Sequence, residues 1–354
     1  MSFTSVISIA EIDARGSVRE TDVARLRRAW RETDEISADD AEVMVALNSR
    51  CPVKDRSWSE LFIETMTDYI VGQSEPSGYI TLKKSQWLVT RLAGSQQSLG
   101  RTEHELLVNV LDKARWAPPS LSAFALGQIA IAVSSGIGAY RPDGRAIAGV
   151  ITELEIDYLR RVLFAYGCGN PSPVTCAEAA VLIDIGERLG PSATHPAWID
   201  LFVRTVANAS LAALGYAVPT REEALNPGTA VRADFRRDGA EIVRRVFQSR
   251  AQGGAAAGMA DPFISSTYRL QSSEERALAR LERQRVEIIT QEPMPPADAA
   301  WLATRLSGRT ELLPGERALI ECMSRDCPRL DPALAAIAAR GANDAVGSAA
   351  AAMH

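Results

Sequence analysis

The residue types that most often carry out chemistry in proteins are sparse and scattered in this 354-residue chain. Its three histidines, His104, His195 and His354, lie far apart, and no His/Glu pair has the spacing of a metal site. The sequence also lacks a nucleophile elbow, a phosphate-binding loop and a dinucleotide fingerprint. We therefore identify no catalytic, cofactor-binding or metal-ligating residue, and this inventory favours a non-enzyme.

Arginines are the best candidates for binding. Arg91 and Arg305 each lie one helical turn after a tryptophan, Trp87 or Trp301, within the repeated pattern Trp-Leu-x-Thr-Arg-Leu. Each pair predicts either a site for an anionic ligand or an arginine whose stem packs along the indole. We favour packing, because arginine and tryptophan commonly pair in proteins without a ligand.

A second group of candidate arginines lies on a predicted amphipathic helix at 231–250, which carries an excess of three positive charges. This helix either is a solvated surface element or docks to an acidic partner. The arginines considered for docking are Arg236, Arg237, Arg244 and Arg245.

Charge and cysteine usage restrict the partners and the compartment. The formal net charge of −5 offers no global field for a polyphosphate chain, so nucleic acid is not an expected partner. An odd set of cysteines without a CxxC pair predicts neither a disulfide framework nor a zinc cluster, and we expect a reducing, cytoplasmic environment. The cysteines are Cys51, Cys168, Cys176, Cys322 and Cys327.

The elements that must position these residues are predicted to be helices. Apolar residues recur at three- and four-residue intervals, and no segment alternates with the two-residue period of a strand, so we expect an all-α fold. Helix starts are predicted wherever Ser or Thr is followed three residues later by an acid. These pairs are Ser17/Glu20, Ser37/Asp40, Thr102/Glu105, Thr152/Glu155, Thr175/Glu178, Thr220/Glu223 and Ser272/Glu275.

The chain also repeats itself. The hexapeptide at 87–92 recurs at 301–306. The pattern from Trp58 to Met66, which precedes the first hexapeptide, recurs from Trp198 to Val206, which precedes the second. These repeats predict two tandem copies of one multi-helix unit with approximate twofold symmetry. The predicted organisation is an N-terminal segment (1–16), a first repeat (17–135), a linker (136–150), a second repeat (151–340) with an insertion at about 217–288, and an Ala-rich tail (341–354).

The helix-loop-helix at the start of each copy resembles a degenerate EF-hand. The segment 34–40 is similar to the second half of such a loop, and Gly78-Tyr79-Ile80 supplies the Gly and Ile of a further loop. The chain thus resembles all-helical bacterial proteins with tandem EF-hand-like or tellurite-resistance-B-like units. A calcium loop needs oxygen ligands at its first, third, fifth and twelfth positions, which here are Gln73, Glu75, Ser77 and Lys84 in the 73–84 loop. We therefore expect no strong calcium binding, and the resemblance implies no active-site residue.

Three functional readings follow from the sequence. The first is a non-enzymatic helical scaffold that binds another protein, the second a metal or small-ligand sensor on an EF-hand-like frame, and the third an enzyme with an unfamiliar site. We expect no membrane span, because the long uncharged segment 117–140 contains two prolines and keeps the apolar spacing of a buried helix.

Overall fold

The computed structural model describes residues 3–33, 35–94, 99–141, 147–165, 173–192, 195–213, 215–225, 269–290, 300–307, 312–326 and 334–337. Helices account for 75% of the interpretable residues, which confirms the predicted all-α class.

The helices before residue 150 begin with a 3₁₀ turn at Phe3–Val6. They continue with α1 (Ile9–Arg15), α2 (Glu20–Arg31), α3 (Ala38–Arg50), α4 (Trp58–Thr67), α5 (Leu82–Ala93), α6 (Arg101–Lys113) and α7 (Pro119–Ser135). A π-helical turn at Asp68–Gly72 directly extends α4. Two short parallel strands, β1 (Ser17–Val18) and β2 (Val53–Lys54), pair with each other.

The later helices are α8 (Glu153–Ala165), α9 (Cys176–Leu189), α10 (Pro196–Ala213), α11 (Arg221–Leu225), α12 (Ser273–Thr290), α13 (Ala300–Ser307) and α14 (Pro314–Asp326). A 3₁₀ turn at Gly190–Ser192 follows α9. The strands β3 (Tyr216–Ala217) and β4 (Arg269–Leu270) form an antiparallel pair.

The chain divides into two compact units. The first comprises Met1–Ala148, Arg161–Gly169 and Glu282–Met294, and the second comprises Gly149–Arg160, Asn170–Leu281 and Pro295–His354. In the first unit α4 is the central helix and packs against α2, α3 and α6, with Trp58 completely buried. In the second unit α10 packs against α9, α11 and α14, with Trp198 near its start almost completely buried. Each core is therefore built around one tryptophan-bearing helix.

Most of the predicted helix caps are confirmed. The hydroxyl and acid pairs at Ser37/Asp40, Thr152/Glu155, Thr175/Glu178, Thr220/Glu223 and Ser272/Glu275 make the expected side-chain to backbone hydrogen bonds.

Two predicted caps are wrong, each for a local reason. Ser17 lies in β1 opposite Val53, so its backbone is already committed to a strand, and α2 begins after Arg19 instead. Thr102 lies inside the first turn of α6, which begins after Gly100, and its hydroxyl lies 3.0 Å from that of Ser59. A hydroxyl that is engaged elsewhere marks a helix start only approximately.

The segment 117–140 contains α7, as its apolar spacing predicted. Leu121, Ile129 and Val133 are buried on this helix. Among the described residues, no helix has both the length and the apolar composition needed to cross a membrane.

Candidate functional site

Two capping acids are buried and receive hydrogen bonds from distant parts of the chain. Asp40 and Glu178 each occupy the third position of their helix, α3 or α9, and both are fully buried. Asp40 Oδ1 accepts hydrogen bonds from the amide and the hydroxyl of Thr4, at 3.0 and 2.8 Å. Glu178 accepts two from Arg221, one on each carboxylate oxygen at 2.8 Å. In both places a helix start is thereby tied to a segment remote in sequence.

The Glu178–Arg221 pair is the most deeply buried ion pair among the described residues, with side chains 0% and 1% exposed. Burial alone would raise the pKa of Glu178, but the charge and hydrogen bonds of Arg221 outweigh it, and the pKa lies below its usual value. Glu178 is therefore an anion at neutral pH that serves as a structural tie.

The same pair anchors one end of the predicted insertion. Arg221 begins α11, and the carbonyl of Ala224 in that helix accepts a hydrogen bond from Arg204 at 3.1 Å. Asn208 donates to the carbonyl of Pro219 at 3.0 Å. The chain before residue 226 is thus held by buried polar groups of α10.

The other end of the insertion is held by the β3–β4 pair. Tyr216 pairs with Leu270, and the amide of Gln271 donates to the carbonyl of Gly215 at 3.0 Å. The pairing of 216–217 with 269–270 therefore brings together two chain positions that are more than fifty residues apart in sequence. The candidate arginines Arg236, Arg237, Arg244 and Arg245 lie outside the described residues.

Helix α12 follows the β3–β4 pair, and it exposes large aliphatic side chains. Leu278, Leu281 and Ile288 are 65%, 61% and 77% exposed. Among the α12 side chains that the structure describes, none is fully buried. Four α12 side chains are half-buried. Ile289 borders the exposed strip, about 20° from Leu278, while Glu275, Arg283 and Glu287 lie further round the helix. We call the strip formed by Leu278, Leu281, Arg285 and Ile288 the α12 face.

The two repeated arginines tie helices together. Arg91 on α5 donates to Glu42 on α3 at 2.8 Å, and Trp87 Nε1 donates to the same carboxylate oxygen at 2.9 Å. Arg305 on α13 donates to Asp184 on α9 at 2.9 Å. Both guanidinium groups are thus ion-paired with an acid of a neighbouring helix, which leaves less charge for an anionic ligand.

A small cleft opens beside Trp198 in the second unit. Its enclosed volume is about 10 Å³, room for about one water molecule and far below the roughly 300–1,000 Å³ of small-molecule pockets. The buried carboxylate of Glu316 lies in its wall and accepts a hydrogen bond from the Leu313 amide at 2.8 Å. The lining consists of Ile183, Gly186, Trp198, Phe202, Leu313, Gly315 and Glu316.

In the first unit, the space beside Trp58 is filled by the side chain of Asn48. Asn48 lies eleven residues after its helix cap, as Gly186 does in α9. Its carboxamide accepts a hydrogen bond from Trp58 Nε1 at 3.0 Å and donates to Glu103 at 2.6 Å. Gly186 has no side chain to fill the cleft beside Trp198.

A cluster of Glu, Tyr and Arg in the first unit could be considered for acid–base chemistry. Arg161 donates to both oxygens of Glu105, at 2.9 and 2.6 Å, and Tyr140 donates to the same carboxylate at 3.3 Å. These hydrogen bonds lower the pKa of Glu105, while burial raises the pKa of Tyr140. Both shifts move the groups away from neutral pH, whereas a general acid or base works best with a pKa near it. The cluster fits a structural role.

The loop that resembles an EF-hand after α4 contains an internal cation. Lys84, at its twelfth position, donates from Nζ to the carbonyls of Tyr69 and Gln73 at 2.7 and 3.0 Å. Burial lowers the pKa of this lysine. Where an EF-hand would place a bidentate carboxylate, this loop places an ammonium group. Within the described part of the chain, no group of three or more His, Cys, Asp or Glu side chains is arranged to hold a metal ion.

No protein-family model matches the chain, and neither the curated proteins nor the solved structures gave a match. The function must therefore be argued from the chain's own residues.

Proposed function

We propose that this protein is a non-enzymatic helical scaffold that binds another protein. The observation that carries the proposal is the α12 face, where three large aliphatic side chains are more than half exposed on one helix. Contiguous apolar surface of this kind is typical of interaction sites, whereas single exposed aliphatic residues are ordinary. The β3–β4 pair supports a role of α12 in presenting this face to a partner, because the pair fixes the chain close to where α12 begins.

We further propose that the scaffold arose by duplication of an EF-hand-like helical unit. Support comes from corresponding side chains. Trp58 and Trp198 are both buried, and each packs against a phenylalanine four residues later. Helix α4 packs against α3 and α6, and α10 packs against α9 and α14. The arginines of the repeated hexapeptide also make corresponding ion pairs. Arg91 joins α5 to α3, and Arg305 joins α13 to α9.

A cytoplasmic location is part of the proposal. Among the described residues, Cys51, Cys176 and Cys322 form no disulfide, which fits a reducing compartment.

The alternative function is a small-ligand or metal sensor, for which the cleft beside Trp198 has room only for a ligand about the size of a water molecule. Calorimetric titration with calcium, magnesium and zinc tests this alternative. We expect no saturable heat with calcium, because the ammonium group of Lys84 already binds the carbonyls of Tyr69 and Gln73 and places a positive charge at the 73–84 loop. Stoichiometric calcium binding would favour the sensor instead. The enzyme reading gains no support from the Glu105 cluster, whose groups bond to one another.

The main proposal is tested by affinity capture with the full chain. Wild type is compared with Leu278→Gln/Leu281→Gln, and the matched control Arg276→Gln/Arg280→Gln changes two exposed polar positions of the same helix. We expect captured partners to be lost only with the leucine variant. A third arm, deletion of 226–259, shows whether the insertion contributes. Capture that is identical for all four proteins would overturn the assignment to α12.

A further inference from the structure

We propose that the partner of the α12 face is a second copy of this chain, docked antiparallel across a twofold axis near residue 283. This inference rests on the proposed function and names the partner for it.

The spacing on the α12 face is that of a helix-pairing seam. Leu278, Leu281, Arg285 and Ile288 alternate in steps of three and four residues, which are the a and d positions of two successive heptads. At 100° per residue the three aliphatic side chains fall within an arc of about 80°. The half-buried Ile289 borders this arc about 20° beyond Leu278. The seam itself faces solvent, because all four of its residues are exposed. A strip of this width suits one partner helix.

A helix that is exposed in this way needs a cover. Helix α12 is 18 residues long, and most of the stability of protein helices comes from packing an amphipathic face rather than from intrinsic propensity. With Leu278, Leu281 and Ile288 exposed, that packing is missing along one side. The α12 helix of a second copy would cover this face with its own α12 face.

Charge selects the antiparallel orientation. In an antiparallel pair centred near residue 283, Leu278 faces Ile288 of the other copy and Leu281 faces Arg285 of the other copy. The stem of Arg285 can then cover the leucine while its guanidinium reaches Glu282 of the second copy. Within one chain Arg285 and Glu282 already lie 3.7 Å apart and both are largely exposed, so each is available to bridge to its counterpart. The contact is isologous and therefore closes as a dimer.

The size of the contact predicts a weak dimer. Two 18-residue helices that meet through three aliphatic residues each bury less than the roughly 1,600 Å² of a standard interface. We expect a dissociation constant on the order of 10 µM.

Sedimentation analysis of the full chain across about 1–200 µM tests this directly, since the range brackets the expected constant. We expect a reversible monomer–dimer equilibrium for wild type and for the control Arg276→Gln/Arg280→Gln. The variant Leu278→Gln/Leu281→Gln should dissociate at least tenfold more readily. Far-UV circular dichroism and melting of each variant confirm that the core remains folded.

A charge-exchange experiment tests the proposed contact between Glu282 of one copy and Arg285 of the other. Glu282→Arg alone and Arg285→Glu alone place like charges opposite each other in the antiparallel pair, so each variant should be monomeric at concentrations where wild type dimerises. An equimolar mixture of the two should form a heterodimer, because Arg285 of one chain then meets Glu282 of the other and the two introduced residues also pair. Dimerisation of each variant by itself, with no gain on mixing, would overturn the antiparallel arrangement.

The outcomes separate this inference from the proposed function. If the full chain is monomeric at all concentrations while capture of another protein depends on Leu278 and Leu281, self-association is wrong and the scaffold proposal stands. A dimer that is insensitive to the leucine variant overturns the α12 seam as its interface. If neither dimer nor captured partner responds to these substitutions, both proposals fail.

Discussion

The Glu178–Arg221 pair is the clearest energetic prediction at the scale of single residues. Arg221→Met should destabilise the protein by about 3–5 kcal/mol at pH 7, because it leaves the fully buried carboxylate of Glu178 without its counter-ion. Arg28→Met is the matched control. It breaks an ion pair with Glu32 whose side chains are 83% and 67% exposed, and should cost less than about 0.5 kcal/mol. Urea unfolding of both variants measures the difference.

The same substitution should change the pH dependence of stability. In the wild type the folded-state pKa of Glu178 is lowered, since Arg221 outweighs the effect of burial. Its stabilisation is thus complete above the unfolded carboxyl pKa of about 4.3 and is lost as the pH falls through the folded value. Without Arg221, burial raises the pKa of Glu178, and that penalty is relieved by protonation. The deficit of Arg221→Met should shrink between about pH 7 and pH 4.5. A constant deficit over this range would contradict the role assigned to Arg221.

The two glycines of the cleft should respond to alanine with opposite signs. A Cβ on Gly186 would meet Phe202 and Trp198 at 3.6 and 3.7 Å, which is ordinary contact, and the residue lies inside α9. Gly186→Ala should therefore stabilise by about 0.5–1 kcal/mol. A Cβ on Gly315 would lie 3.0 Å from the Phe202 ring, so Gly315→Ala should destabilise. Thermal unfolding of both variants decides, and stabilisation by Gly315→Ala would mean that the ring can move aside.

Single-residue roles were predictable from the sequence only where they are local. Both Asp40 and Glu178 were identified as capping acids, because cap and acid lie three residues apart. Their further partners were missed. Thr4 is 36 residues from Asp40 and Arg221 is 43 residues from Glu178, and no spacing rule reaches that far. The polar groups around the insertion were missed for the same reason.

At the scale of elements, Lys84 should stabilise the junction between α4 and α5. Its ammonium group binds two carbonyls of the turn that ends the α4 segment, so Lys84→Met should cost about 1–2 kcal/mol through lost charge-assisted hydrogen bonds. Lys83→Met is the control, because Lys83 is exposed on the same helix and should be nearly neutral. Equal stability of the two variants in urea unfolding would remove Lys84 from this role.

Helix existence was more predictable than helix ends. The apolar spacing indicated α3, α4, α9 and α10 correctly, because each buries one stripe in a core. The start of α2 was misplaced, since Ser17 is held by pairing of β1 with β2, a contact between residues distant in sequence. The N-terminal segment was given no element, yet it forms α1, which Ser8 caps at its first turn.

For the whole molecule, the repeated tryptophans were the most informative sequence feature, but they describe packing and name no ligand. Asn48 fills the space beside Trp58, whereas Gly186 has no side chain to fill the space beside Trp198. The sequence does not show this difference, because the opening depends on how the surrounding helices pack.

The proposed duplication predicts that the two units share one arrangement of helices. In a crystal structure of the chain, the helices α3, α4, α5 and α6 should superpose on α9, α10, α13 and α14, with Trp58 over Trp198 and Trp87 over Trp301. The physical reason is that matching stripes of large side chains pack densely only against matching neighbours. The acceptors of Arg91 and Arg305 should differ by one helical turn, because Glu42 and Asp184 lie five and nine residues after their respective caps. Tryptophans on helices that cannot be superposed would show that the sequence repeat reflects similar composition rather than a shared unit.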